Sequence, residues 1–223
     1  MNDDPMQPTR PTAGDLALRQ NLERHGLVAI LRSRRPGAPL VETVRTLIEA
    51  GVRCVEITLP TPGSLEAVAE LRSPLPEGCL IGVGTVTESH QVEQVVAAGG
   101  QFIVSPVYEP GLILAARGKN IGTLPGCFTA TEALAAWRTG ATAVKLFPAE
   151  PLGPGTVAAL QGPLPEIPLV PTGGVGLSDI RPYLDAGALA VGVGSPLVGD
   201  ALDGGSQAEL LVRARKFVAE AAS

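Results

Sequence analysis

The sequence predicts a parallel α/β protein, a (β/α)8 TIM barrel with one extra helix at its N-terminal end. Three observations predict it. Eight short, β-rich apolar runs alternate with Ala/Leu/Glu-rich segments of helical period. Four junctions almost repeat: Glu49-Ala50-Gly51-Val52, Ala97-Ala98-Gly99-Gly100, Arg138-Thr139-Gly140-Ala141 and Asp185-Ala186-Gly187-Ala188. Each reads as a helix ended by a left-handed glycine cap and followed at once by a buried strand. Finally, 223 residues suit one barrel of about 200–250. The alternative, an open doubly wound sheet, usually carries a glycine-rich turn after its first strand. Here that strand ends Leu31-Arg32-Ser33-Arg34, with no such turn.

In chain order, a helix over 14–25 precedes the first strand, Leu27–Arg32. The remaining strands are Val52–Thr58, Cys79–Thr85, Gln101–Pro106, Ile121–Pro125, Thr142–Phe147, Pro168–Gly173 and Ala188–Ser195. Helical segments follow them in turn, at about 38–50, 63–72, 88–98, 109–117, 129–139, 155–161, 178–186 and 206–221. Residues 1–13 read as a flexible tail, acidic and carrying Pro5, Pro8 and Pro11, without the pattern of a signal peptide. Residues 14–223 form a single domain with no interior linker.

Composition narrows the function. Hydrophobic residues at 45% exclude intrinsic disorder of the whole chain. No run approaches the roughly 18–20 apolar residues of a membrane span. A net charge of −5, aromatics at 3% and the lack of a basic block argue against a nucleic-acid partner. Cys54, Cys79 and Cys127 are too few and too scattered for a disulfide framework or a zinc site. The chain reads as cytoplasmic, with neither a nucleic-acid nor a membrane partner.

Barrel chemistry gathers at the C-terminal ends of the strands. In the second strand, period-two alternation puts Glu56 and Thr58 on one face and Val55 and Ile57 on the other. A carboxylate there is costly to bury unless paired or protonated; the bland reading is a solvated residue at a strand boundary. In the sixth run, Lys145 stands between Val144 and Leu146, on the face shared by Ala143 and Phe147. Burial and neighbouring groups can depress an amine's pKa, leaving it nucleophilic toward a carbonyl; the structural alternative is a buried ion pair with Glu56.

The seventh and eighth strands end Thr172-Gly173-Gly174 and Val193-Gly194-Ser195. Glycines let backbone N–H groups and a helix N-terminus approach a phosphate, although glycine pairs also serve tight packing. Arg32 ends the first strand and can face a carboxylate or phosphate, or lie exposed beside Arg34 and Arg35. His25 and His90 fall in helices away from the strand ends, leaving neither a metal cluster nor a base for serine-hydrolase chemistry. Cys127 reads as packing.

Six ordered segments, Val55-Glu56-Ile57-Thr58, Gly82-Val83-Gly84-Thr85-Val86, Ile103-Val104-Ser105-Pro106, Leu124-Pro125-Gly126, Lys145 to Glu150 and Pro171 to Val175, resemble the 2-keto-3-deoxy-6-phosphogluconate (KDPG) aldolase / 4-hydroxy-2-oxoglutarate (KHG) aldolase family. The resemblance implies a class I aldolase with no metal or organic cofactor, a keto-acid phosphate substrate and a homotrimer. It implies that Lys145 forms the Schiff base and Glu56 relays protons. Thr58 lies in the segment that carries Glu56 and is expected to contact substrate. Thr85, Pro106 and Phe147 match pyruvate-pocket positions, Arg32 an arginine found in some members, and Thr172 the pocket wall. Gly173, Gly174, Gly194 and Ser195 match the phosphate-binding ends. Pro60 stands where many members have a carboxylate-binding arginine. Two other readings stay open: a phosphosugar epimerase or isomerase using Glu56 as base, and a non-catalytic phosphate-ligand binding protein.

Overall fold

The computed structural model describes residues 10–72 and 75–222. Most of the expected tail, residues 1–9, lies outside the described residues. Helix α1 (Ala13–His25) is closed by a capping box in which Thr12 and Asp15 exchange hydrogen bonds, and it ends on left-handed Gly26. Strands β1 (Leu27–Leu31), β2 (Cys54–Thr58), β3 (Leu80–Gly84), β4 (Phe102–Val104) and β5 (Gly122–Leu124) alternate with α2 (Leu40–Glu49), α3 (Ser64–Leu71), α4 (Ser89–Ala98) and α5 (Pro110–Gly118). The chain continues through β6 (Gly126–Cys127), α6 (Ala130–Thr139), β7 (Val144–Leu146), α7 (Gly153–Gln161) and β8 (Leu169–Pro171). A 3₁₀ turn leads into α8 (Ile180–Asp185), β9 (Val191–Val193), α9 (Ser195–Val198) and α10 (Gln207–Ala222).

All strand pairs are parallel. They curl around the interior as a six-stranded half-barrel, β5-β4-β3-β2-β1-β9, and a three-stranded arc, β6-β7-β8. The expected closed barrel is therefore not one continuous ladder. At one seam the fifth expected strand stops before its last residue, Pro125, which has no N–H to donate although its carbonyl accepts from the Lys145 amide at 2.9 Å, and pairing resumes beyond the expected bounds as β6. At the other seam, a single bridge, Thr172 to Gly192, joins β8 to β9.

The four repeated junctions share one geometry. Gly51, Gly99, Gly140 and Gly187 have φ between 92° and 106°. In each, the amide after the glycine reaches back five residues, as Val52 to Leu47 and Ala188 to Tyr183 at 3.0 Å, closing a Schellman motif. Strand alternation then divides the core. Leu27, Ala29, Leu31, Val55 and Ile57 pack outward under the helices. Val28, Ile30, Cys54, Phe102, Val104, Leu124, Ala143 and Val170 fill the interior, plugged at one end by Leu18 and Leu22 of α1. No helix among the described residues is long and apolar enough to cross a membrane.

Candidate active site

A cavity of about 330 Å³ opens at the C-terminal ends of β1, β7, β8 and β9. Lys145 reaches it from β7, on the interior face it shares with Ala143, and is only 5% exposed. Its Nζ lies 5.0 Å from the centroid of the Phe147 ring, where the quadrupole of the ring face favours a cation. Arg32, Phe147, Thr172, Gly173, Gly174, Gly194 and Ser195 line the same space. Gly173 and Gly174 have φ of 93° and 80°, a left-handed pair that L side chains adopt poorly. A Cβ at Gly173 would also press the Phe147 ring at 3.0 Å, and one at Gly174 would overlap Glu150. The backbone of this loop consequently forms the cavity wall directly.

Glu56 is buried on the interior face of β2. Its Oε1 has no hydrogen-bond partner, and its carboxylate makes no ion pair with Lys145 or any other described residue. Burial pushes its carboxyl above the usual carboxylate range, against the pull of the Lys145 and Arg32 charges. A carboxyl of this kind can hold a proton and release it when a positive charge forms nearby.

Thr58, Thr85 and Pro106 sit in supporting positions rather than on the cavity wall. The Thr58 hydroxyl is 2.8 Å from that of Thr61, whose oxygen accepts from the Ser33 amide at 3.2 Å. Thr58 thereby ties the loop after β2 to the loop after β1. Thr85, at φ 58°, accepts from Arg32 Nη2 at 3.4 Å. Pro106 packs so closely on Gly126 that a side chain there would strike its backbone. Thr172 donates to the Val170 carbonyl at 3.2 Å and fills the space left by Gly192. Cys127 packs in the outer core, where burial raises its thiol pKa to about 12, as suits a packing role. Sequence reasoning missed Thr61 and the far wall of the cavity, formed by Pro196, Gly199, Leu202 and Asp203. Pro196 belongs to the four-residue α9 and the others to loops, none with a periodic pattern, so only the tertiary fold reveals them.

The sequence pattern of the KDPG and KHG aldolase family matches residues 18–210. The chain belongs to that family. Its relatives include a probable 2-dehydro-3-deoxy-6-phosphogalactonate aldolase of Rhizobium meliloti, 40% identical over 77% of this chain and 81% of the relative. A 2-dehydro-3-deoxy-phosphogluconate aldolase of Dickeya dadantii is 37% identical over 81% and 85%. Among solved structures, a KDPG aldolase from Legionella pneumophila, with pyruvate captured as a covalent carbinolamine, superposes with a TM-score of 0.80. It shares 26% identity and covers 88% of this chain and 96% of its own. This family member is accordingly a lyase of the aldolase class.

Proposed function

We propose that this aldolase cleaves KDPG reversibly to pyruvate and glyceraldehyde 3-phosphate through an imine on Lys145, and KHG to pyruvate and glyoxylate by the same route. The observation that carries the reading is the buried Lys145 amine at the wall of a cavity that the loop ends Gly173-Gly174 and Gly194-Ser195 also line. The relatives' names divide between gluconate and galactonate substrates, which differ in configuration at C4. The two arcs of sheet act together as one (β/α)8 barrel.

Neutral Lys145 attacks the C2 carbonyl, and Glu56 passes protons so that the carbinolamine loses water as the imine forms. Glu56 then accepts the C4 hydroxyl proton, directly or through a water, as the C3–C4 bond breaks. The bonding pair flows into the protonated imine, leaving an enamine that is reprotonated at C3 and hydrolysed to pyruvate. Dividing one carbanion-forming step in this way lowers its barrier, and no cofactor is required. Arg32, seated on Thr85, holds the substrate carboxylate in place of the arginine absent at Pro60. Thr58, through Thr61, steadies the loop that carries Arg32, Phe147 and Thr172 shape the pyruvate pocket, and Pro106 backs it from its place against Gly126. The amides of Gly173, Gly174, Gly194 and Ser195 receive the phosphate. The proposal includes a cytoplasmic homotrimer, supported by exposed apolar side chains at Val107, Leu114 and Phe128 that a second copy would cover.

Pyruvate with borohydride tests the chemistry, because only an imine is reduced to a stable adduct. One reduced pyruvyl group is expected on Lys145, with labelling and turnover both lost in Lys145→Met. Labelling at another amine, such as Lys119, refutes the assignment. An epimerase or a passive binding protein gives no adduct at all.

A further inference from the structure

We propose that Arg213 is a positioning residue for the phosphate end of the substrate. From outside the cavity, its guanidinium holds the far wall in shape and sets a positive charge behind it. The inference rests on the proposed phosphate-accepting role of Gly194 and Ser195 and deepens it.

The wall needs support from outside. Ser195, Pro196 and Val198 line it from α9, and Gly199 follows them directly. A helix of four residues has too few internal bonds to stand alone, and its last carbonyls lack intrahelical partners. Arg213 of α10 fills that gap. Its Nε donates to the Leu197 carbonyl at 2.6 Å and its Nη2 to the Val198 carbonyl at 2.8 Å. Two donors on one rigid fork fix direction as well as distance. Gln207, at the start of the same helix, adds a second tie by donating to the Ala201 carbonyl and to the Thr43 hydroxyl of α2, both at 3.2 Å.

Gly199 lets the guanidinium come this close. Its φ of 59° and ψ of −133° suit glycine, and a Cβ there would overlap the Arg213 side chain. The charged group therefore lies directly against a residue of the cavity wall. Arg213 itself lines the groove on the outer side, and Pro196 is shared between the two spaces. Arg213 makes no ion pair among the described residues, so no carboxylate cancels its charge there. The cations that line the cavity are Arg32 and Lys145, and both serve the keto-acid end in the proposed reaction. A guanidinium behind the far wall favours an anion there, because protein screens charge less than water does. The Gly194 and Ser195 amides keep their aim on that anion only while the wall stays in place, since hydrogen bonds weaken steeply with misalignment.

The experiment compares wild type with Arg213→Met, which loses both bonds and the charge, and with Arg213→Lys, which keeps the charge without the fork. In Arg213→Met, KM for KDPG should rise about tenfold with kcat held within about threefold, the split expected when ground-state and transition-state binding are lost together. Inorganic phosphate, titrated calorimetrically, should bind about tenfold more weakly, the scale of one lost charge-assisted interaction. Arg213→Lys should recover part of that affinity, to within about threefold of wild type. Borohydride trapping of pyruvate on Lys145 should keep its rate within about twofold in both variants, because pyruvate carries no phosphate and the two ends are independent. A merely structural role lowers trapping and KDPG turnover in the same proportion per folded molecule. That result overturns the proposal, as does phosphate affinity unchanged in the variants or a lysine variant no better than methionine. If Arg213→Met fails to fold, the phosphate affinity and KM of Arg213→Lys decide the matter, and values equal to wild type refute it. A wild type that fails to trap pyruvate refutes the imine reading. One that traps pyruvate yet binds no phosphate refutes the phosphate-accepting role of Gly194 and Ser195, and the role of Arg213 with it. Trapping and phosphate binding that both persist unchanged in the variants refute the role of Arg213 alone.

Discussion

A buried carboxyl with an unpartnered oxygen is costly, and Glu56 is held in that state beside two cations that do not pair with it. Its native pKa lies above the ordinary glutamate value of about 4.3, because burial outweighs the attraction of Lys145 and Arg32. The native state therefore binds the proton more tightly than the unfolded chain. The stability so contributed is complete below the ordinary value and is lost as pH rises through the native one. Glu56→Gln does not titrate, so its stability relative to wild type should grow across that window. Denaturant melts of both proteins at pH 4.5 and pH 8 measure the difference, and a gap that stays constant or shrinks refutes the account. Turnover in the same variant should fall about a hundredfold or more, with pyruvate binding kept within tenfold. Glu56 and Lys145 are legible in the sequence because strand alternation alone puts a charge among apolar neighbours. Thr61 is not, because its significance lies in contacts between loops without any period.

Strand β3 shows how one element makes room for that chemistry. Its interior face carries Gly82 and Gly84, paired in register with Glu56 and Thr58 of β2. A Cβ at Gly82 would meet the Phe102 ring at 2.6 Å, and one at Gly84 would overlap the Glu56 carboxylate. The two glycines thus admit an aromatic plug and the carboxyl above it. Gly82→Ala should cost about 1–3 kcal/mol of stability through overpacking and leave most of the turnover per folded molecule. Gly84→Ala should displace Glu56 and lower kcat by about a hundredfold, the scale of a lost acid–base group. Thermal unfolding and kcat measured on both variants separate the cases; equal losses of activity would show that neither space is specific to Glu56. The sequence places these glycines in the third expected strand and in a segment shared with the family, without showing what they make room for. It does show the Schellman caps, since Gly51, Gly99, Gly140 and Gly187 each follow a helical period directly. It does not show α9, because a four-residue helix beginning Ser195-Pro196 has no period to read.

For the whole molecule, the cavity opens at one end of the strands only because the other is closed by α1. Leu18 and Leu22 fill the interior there, with Leu18 packed 2.8 Å from where a Cβ on Gly122 would lie. The closure is held by a buried polar junction between segments 102 residues apart, in which Arg117 Nη1 donates to Asp15 Oδ2 at 3.0 Å. The same guanidinium donates to the carbonyls of Gly140 and Arg10, and the Thr142 hydroxyl donates to Asp15 Oδ1. Side-chain exposures of 14% and 6% make this an ion pair withdrawn from solvent. Removing one member leaves the other charge buried, so Arg117→Leu should cost about 3–5 kcal/mol. An Asp15→Leu/Arg117→Leu double variant should cost less than the sum of the two single changes, because no unpaired charge remains. Denaturant melts of the four proteins complete the cycle. Additive losses would mean that the pair is not coupled. Pyruvate trapping per folded molecule should persist in all four, since the junction lies at the end of the strands opposite Lys145 and acts on the closure of the fold rather than on the imine.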